Sequence, residues 1–193
     1  MKDPQSSWPF SQAELAIVLD ACEEDGSEWV SGASKFLAWT GAHISVLSGG
    51  IRQAWVWDDK ATRAGHEEYW QAPPIRSNAI RGDHIFWNRP KNQRSIGIPL
   101  SRHLKGWLED WLDQPRPLTP RRYTQVFDRV GAKIGLQVNP LRFRHTFAVY
   151  LFHEVKLSAE DVCEMIGVTP ETMQRYVIRP YWVRANLLAA ANF

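Results

Sequence analysis

Cysteine is scarce in this 193-residue chain. Cys22 and Cys163 are its only two, and they stand far apart with no C-x-x-C spacing. That excludes a disulfide framework and a cysteine-based zinc site. Long apolar runs are missing as well: none approaches the 18 residues of a membrane span, and the N-terminus lacks the apolar stretch of a secretion signal. No repeat, low-complexity tract or long block of like charge occurs. These absences lead to the expectation of a soluble, intracellular (cytoplasmic) protein with no membrane partner, no metal and no cofactor.

Apolar residues make up 44% of the chain, enough to bury a sizeable core, so disorder is excluded. Ten tryptophans add large anchors. The net charge is only +2, but it is unevenly spread. Residues 1–70 hold 5 Lys/Arg against 11 Asp/Glu, residues 71–146 hold 14 against 5, and residues 147–193 hold 4 against 5. A basic middle between acidic flanks suits a surface aimed at phosphate, although a solvated basic face gives the same count.

The pattern along the chain is mainly helical. After a tail over residues 1–10, Ser11 is placed as an N-cap with Glu14 completing a capping box. Leu15, Val18, Leu19 and Cys22 follow at helical spacing. Gly26-Ser27 breaks that helix, a second is predicted over residues 28–39, Thr40-Gly41 ends it, and a short helix covers residues 44–47. Residues 54–57 read as a β-like run and residues 58–83, with Pro73-Pro74, as an extended connection. Residues 84–87 and 95–98 read as two strands joined around Arg89-Pro90-Lys91-Asn92-Gln93. Helices return at residues 101–112 and from the Thr119-Pro120 cap to about residue 133. They continue over residues 140–153, 158–165 (with Ser158 and Asp161 as a capping box) and 170–178, and end with residues 182–190. The expected fold is α+β, mainly α, with a small three-stranded antiparallel sheet inserted after the third helix. One main domain, residues 11–180, lies between a tail at 1–10 and a helical tail at 181–193.

The stretch from Asn139 to Tyr176 carries the chemistry. It opens with Pro140-Leu141-Arg142-Phe143-Arg144-His145-Thr146-Phe147 on the first turns of a helix, passes the turn Ile166-Gly167-Val168, and closes on Glu171-Thr172-Met173-Gln174-Arg175-Tyr176. In order and spacing this resembles the catalytic half of tyrosine recombinases and phage-type integrases. Their landmarks are a P-H-x-L-R-H-T-F-A run, an L-G-H turn and a closing tyrosine. The resemblance covers about residues 10–180, and the family's N-terminal DNA-clamping domain has no counterpart in it.

The resemblance implies a definite chemistry and double-stranded DNA as partner. A tyrosine oxygen attacks a DNA phosphodiester, and cations and hydrogen-bond donors stabilise the charge that develops on the phosphoryl oxygens. By this resemblance Tyr176 is the nucleophile, with Tyr150 and Tyr181 as other tyrosines to consider. Arg144 is the second arginine, His145 the histidine beside it, and Lys91, counted back from Ile98-Pro99-Leu100, the hairpin lysine. The first arginine of T-G-x-R-x-x-E-L falls on His43 in Thr40-Gly41-Ala42-His43, and the acid that holds it falls on Val46. The donor histidine of the arginine run falls on Leu141, and the histidine of L-G-H on Val168.

Lys91, Arg144 and Tyr176 are therefore kept while His43, Leu141 and Val168 are replacements. A histidine can donate one hydrogen bond but cannot make an arginine's bidentate fork. Losing one arginine clamp from phosphoryl transfer costs about 10³- to 10⁵-fold in rate. The resulting expectation is a DNA-binding, recombinase-like protein, impaired or inactive in strand cleavage. Its DNA contacts are expected from Arg142, Arg94, Arg121, Arg122 and Arg175. Two other readings stay open: an active divergent integrase in which His43 or Arg142 fills the gaps, and an interaction domain that kept only the fold. The family's habit also implies homo-oligomers on DNA through residues 182–190.

Overall fold

The computed structural model describes residues 8–59, 64–88 and 95–177, with 50–59, 64–72, 88 and 174–177 described as backbone alone. In chain order, α1 (Gln12–Glu24), α2 (Glu28–Thr40) and α3 (Ile44–Ser48) lead into β1 (Gly50–Asp59) and β2 (Ala64–Ala72). A 3₁₀ turn at Ser77–Ala79 precedes β3 (Ile80–Arg81), β4 (His84–Asn88) and β5 (Ser95–Pro99). Five helices follow: α4 (Arg102–Trp111), α5 (Pro120–Ile134), α6 (Pro140–His153), α7 (Ala159–Ile166) and α8 (Pro170–Val177). The chain divides into two compact units, one of residues 1–44 with 121–193 and one of residues 45–120.

The first unit is helical. Its start is fixed as the sequence predicts. The Ser11 hydroxyl accepts from the Glu14 amide at 3.2 Å, and the Glu14 carboxylate accepts from the Ser11 amide at 2.8 Å, closing a capping box. Val30, Ala33, Phe36 and Leu37, one face of α2, are fully buried. This face meets α6, which also packs against α7 and α8. Aromatic rings knit the core: Phe143 on α6 lies edge-on to Phe10 at 5.3 Å and 5.5 Å from Phe127 on α5. Burying a phenylalanine side chain contributes about 1.5–3 kcal/mol, so Phe10 ties the chain start firmly to the helices. Ser158 caps α7, but only half of the expected box forms. Aspartate is one carbon shorter than glutamate, and the Asp161 carboxylate takes the Ser158 hydroxyl rather than the cap amide.

The second unit holds the strands. β3, β4 and β5 form an antiparallel sheet in that order, with Ile85 opposite Ile98 and Trp87 opposite Ile96. Ile85, Ile96 and Ile98 are buried on one face, and Leu108, Trp111 and Leu112 of the α4 region are buried as well. Arg116 ties this unit together. Its guanidinium donates to the carbonyls of Leu47, Leu112 and Ile75 and lies 5.4 Å from the Trp111 ring.

The fold class expected from sequence holds: mainly helical, with a small three-stranded antiparallel sheet. Two details are corrected. Residues 64–72 are a strand and not part of an extended connection, and residues 54–57 pair with them in a separate two-stranded hairpin. The third strand of the inserted sheet is instead the two-residue β3. A hairpin strand takes its backbone partners from its neighbour, so Ala64–Ala72 pairs despite Glu67-Glu68 in mid-strand and Gly65 near its start. Residues 182–190, expected to be helical, lie outside the described residues, as does the turn that carries Lys91.

Candidate active site

The site is organised by the first two turns of α6. Asn139 caps this helix, its side-chain oxygen accepting from the Arg142 amide at 3.0 Å, and Pro140 opens it. Leu141, Arg144 and His145 then stand at positions i, i+3 and i+4, which share one helix face. Leu141 is exposed, and Arg144 and His145 are half-buried.

Arg144 is the hub. Its Nη1 donates to the Gly41 carbonyl at 3.0 Å and its Nη2 to the Ile166 carbonyl at 2.5 Å. Gly41 is the C-cap of α2 and Ile166 the last residue of α7. Helix ends leave carbonyls without intrahelical partners and carry partial negative charge, so a cation there is favourable twice over. The fork thereby ties three helices together. It also gathers three stretches that the sequence singled out: Gly41 is two residues before His43, and Ile166 is two before Val168.

Gly41 suits this role for two reasons. Its φ of +59° is a left-handed conformation that glycine adopts without penalty. A Cβ there would also stand 2.5 Å from a ring carbon of Phe147. The following residues reach His43, which is exposed, and Val46, which is buried. His43 is thus an exposed imidazole and Val46 a core valine.

Arg142 is a correction. By sequence it is expected among the DNA contacts and as a replacement donor, but its side chain is only 7% exposed. Nε donates to the Trp8 carbonyl at 2.8 Å and Nη1 to the Gln137 carbonyl at 2.6 Å. The guanidinium lies 4.0 Å from the centre of the Phe10 ring, and Nη2 is 3.7 Å from the Glu14 carboxylate. Burial lowers its pKa from the ordinary value, and Glu14 opposes the shift. Thr146 completes this strap, accepting from the Phe10 amide and donating to the Arg142 carbonyl, both at 2.8 Å. Arg142 thus fastens the chain start to α6. Nothing in the letters gives this away, because three of its partners, Trp8, Phe10 and Glu14, lie more than 120 residues upstream.

The remaining candidates fall as follows. Tyr176 and Arg175 stand near the end of α8, their side chains outside the described set. That helix begins at the Thr169 hydroxyl, which accepts from the Thr172 amide at 3.3 Å, and it buries Met173, one turn before Tyr176. Thr169-Pro170 repeats the Thr119-Pro120 signal and was a legible cap. Arg121 and Arg122 are exposed on the first turn of α5, and Tyr150 is exposed on α6. Lys91 and Arg94 lie outside the described residues. Leu141 and Val168 have aliphatic side chains with no hydrogen to donate. Among the described residues no three His, Cys, Asp or Glu side chains gather as a metal would need, and no helix is long and apolar enough to cross a membrane.

The architecture is that of integrase and recombinase catalytic domains. The catalytic domain of bacteriophage HP1 integrase matches with a TM-score of 0.61 at 17% identity, over 96% of this chain and 94% of that one. XerA recombinase matches with a TM-score of 0.62 at 15% identity, over 98% of this chain and 66% of that one. XerH site-specific recombinase, bound to a palindromic difH substrate in a post-cleavage complex, matches with a TM-score of 0.62 at 15% identity. That match covers 97% of this chain and 53% of XerH. No protein-family model and no curated protein matches the sequence. The chain has the tyrosine-recombinase catalytic-domain fold, and at these identities the likeness is one of fold.

Proposed function

We propose that this chain is a DNA-binding domain of the tyrosine-recombinase type that is impaired or inactive in strand cleavage. The observation that carries the reading is the Arg144 fork, which draws the Gly41–His43, Arg144–His145 and Ile166–Val168 stretches around one guanidinium. A guanidinium has five N–H donors, and the two carbonyls take only two of them. The others, oriented in advance, suit a backbone phosphate of double-stranded DNA. XerH, with the same fold, is bound to its difH substrate, which supports a DNA partner. Arg121, Arg122, Lys91, Arg94 and Arg175 are the further cations assigned to DNA binding in this reading. Residues 182–190 join copies on the DNA, and the protein works with DNA in the cytoplasm.

The impairment follows from the side chains at the donor positions. Transition-state charge needs donors aimed at it, and removing a single one costs about 10²- to 10³-fold. Leu141 and Val168 supply none, and His43 replaces an arginine. One observation favours an active divergent integrase instead: α8, which carries Tyr176, packs against both α6 and α7. In that reading the tyrosine oxygen forms a bond to phosphorus, the bond to the 5′ oxygen breaks, and that oxygen takes a proton. The result is a 3′-phosphotyrosyl DNA. A third reading keeps the fold as an interaction domain without DNA.

Incubation with nicked suicide duplexes drawn from the native locus, followed by a denaturing gel, decides among them. Salt-sensitive binding to the duplexes without an adduct is the expected result. An adduct lost in Tyr176→Phe would establish the active reading, and absence of any salt-dependent binding would leave the interaction domain.

A further inference from the structure

The inserted sheet has two unlike faces. Ile85, Ile96 and Ile98 are buried on one. On the other, the antiparallel register puts Arg81 opposite His84 and Phe86 opposite Gly97. The Phe86 ring lies across Gly97, where a Cβ would come within 2.7 Å of it, so only glycine lets the ring settle on the strand. His84 stacks beside Phe86 at 5.9 Å with 29° between the planes. Arg81 and His84 are exposed and Phe86 is half-exposed.

Beside this face opens a cavity of about 930 Å³, within the size range of ligand sites. Phe86, Arg81, Arg76 and Asn78 are among its lining residues, and none of the described lining residues is a carboxylate; Arg76 also donates to the Asp113 carbonyl at 3.5 Å. A flat ring on a pleated sheet, flanked by two arginines and a second planar side chain, combines a stacking platform with cations for a phosphate. A stacked base pair buries its ring faces within the duplex, so the ligand this arrangement fits is an unpaired nucleotide.

We propose that the Arg81–His84–Phe86 face and its cavity bind an unpaired nucleotide, with the base against Phe86 and the phosphate held by Arg81 and Arg76. The nucleotide comes either from a single DNA strand or as a free mononucleotide. The site belongs to the second unit alone and does not depend on the chemistry at Arg144.

Fluorescence anisotropy with a labelled (dA)₈ strand, a blunt duplex and competing deoxyadenosine monophosphate tests it on the full chain. Base stacking on an aromatic side chain predicts a loss of about 5- to 100-fold in strand affinity for Phe86→Leu, with duplex affinity changed far less. Arg81→Ala, an exposed substitution without folding risk, should weaken the strand too, and Arg102→Ala on α4 should not. Displacement by the mononucleotide, lost in Phe86→Leu, identifies a free nucleotide as a source, and strand binding without displacement identifies nucleic acid. No strand binding at low salt, unchanged affinity in both variants, or equal losses for strand and duplex would overturn the proposal. Duplex binding that survives Phe86→Leu separates its failure from that of the DNA-binding reading.

Discussion

Arg144 and Gly41 meet at 3.0 Å, a guanidinium against the carbonyl that ends α2. With the second bond to Ile166, one side chain closes two helix C-termini at once. Hydrogen bonds from a charged donor contribute about 1.5–3 kcal/mol each when buried, and less here because Arg144 is half-buried. Arg144→Ala should therefore cost about 2–4 kcal/mol in urea unfolding and weaken duplex binding on every sequence. Arg144→Lys keeps the charge but cannot reach both carbonyls as a fork, so it should recover binding better than stability. A lysine variant as stable as wild type would show that the carbonyl contacts carry no weight.

Gly41 should tolerate nothing larger. Gly41→Ala combines a left-handed backbone, costing about 1 kcal/mol for a residue with a Cβ, with a collision against Phe147. The strain can be relieved only by moving the turn, which withdraws the carbonyl from Arg144. The expected loss is about 2–3 kcal/mol by thermal or urea unfolding, since overpacking adds about 1–3 kcal/mol. In an Arg144→Ala background the same change should cost less, because the carbonyl contact is already gone. Fully additive losses in that double-mutant cycle would contradict the coupling.

Arg142 should behave oppositely to a DNA contact. Arg142→Met removes the cation and leaves the Trp8 and Gln137 carbonyls and the Glu14 carboxylate without it. Breaking such a buried set costs about 3–5 kcal/mol, whereas the salt dependence of duplex binding should keep its slope, because no phosphate contact is lost. A slope reduced by about one unit would restore Arg142 to the DNA-facing set.

These two arginines show what the letters of α6 can and cannot convey. Local rules found the helix caps at Ser11, Ser101 and Ser158 and the helix that bears both arginines, because a cap and its partner lie three residues apart. Arg142 and Arg144 differ by 200° around α6, and the letters do not say which side faces inward. That depends on Trp8, Phe10 and Glu14, brought in from the chain start. The strand at residues 64–72 was missed for a related reason, since its order comes from pairing with β1 and not from its own composition. The letters single out Arg144 but not its anchors, which are backbone carbonyls and leave no mark on residue identity.

Cys22 gives a prediction about pH. Burial pushes its thiol from 9.0 up to about 11, against the opposing hydrogen bond with Ser34. Below pH 9 both folded and unfolded thiols are protonated and stability is unaffected. Between 9 and 11 the unfolded thiol loses its proton first, so stability falls as pH rises. The loss should reach about 3 kcal/mol above pH 11, at 1.36 kcal/mol per unit. The comparison of wild type with Cys22→Ala across this range isolates it from lysines and tyrosines. Parallel stability curves for the two would refute the shift.

The donors that the proposed function takes as replaced can be put back one at a time. Leu141 is 46% exposed on the α6 face that carries Arg144, so Leu141→His should cost less than about 0.5 kcal/mol in stability. It would restore a donor three residues from the guanidinium, where the transition-state charge is expected to gather. Val168→His does the same on the turn after Ile166, and His43→Arg returns a full fork two residues from Gly41. If the chain retains the architecture but lacks the donors, adduct formation on suicide duplexes should rise by about 10²-fold for a single restored donor and further for all three. The gain must vanish when Tyr176→Phe is added, since the adduct is a phosphotyrosine. Binding affinity should move little except for His43→Arg, which adds a permanent charge. Restored donors with no adduct, on a protein that still binds duplex with a steep salt dependence, would mean that the defect lies beyond these three positions.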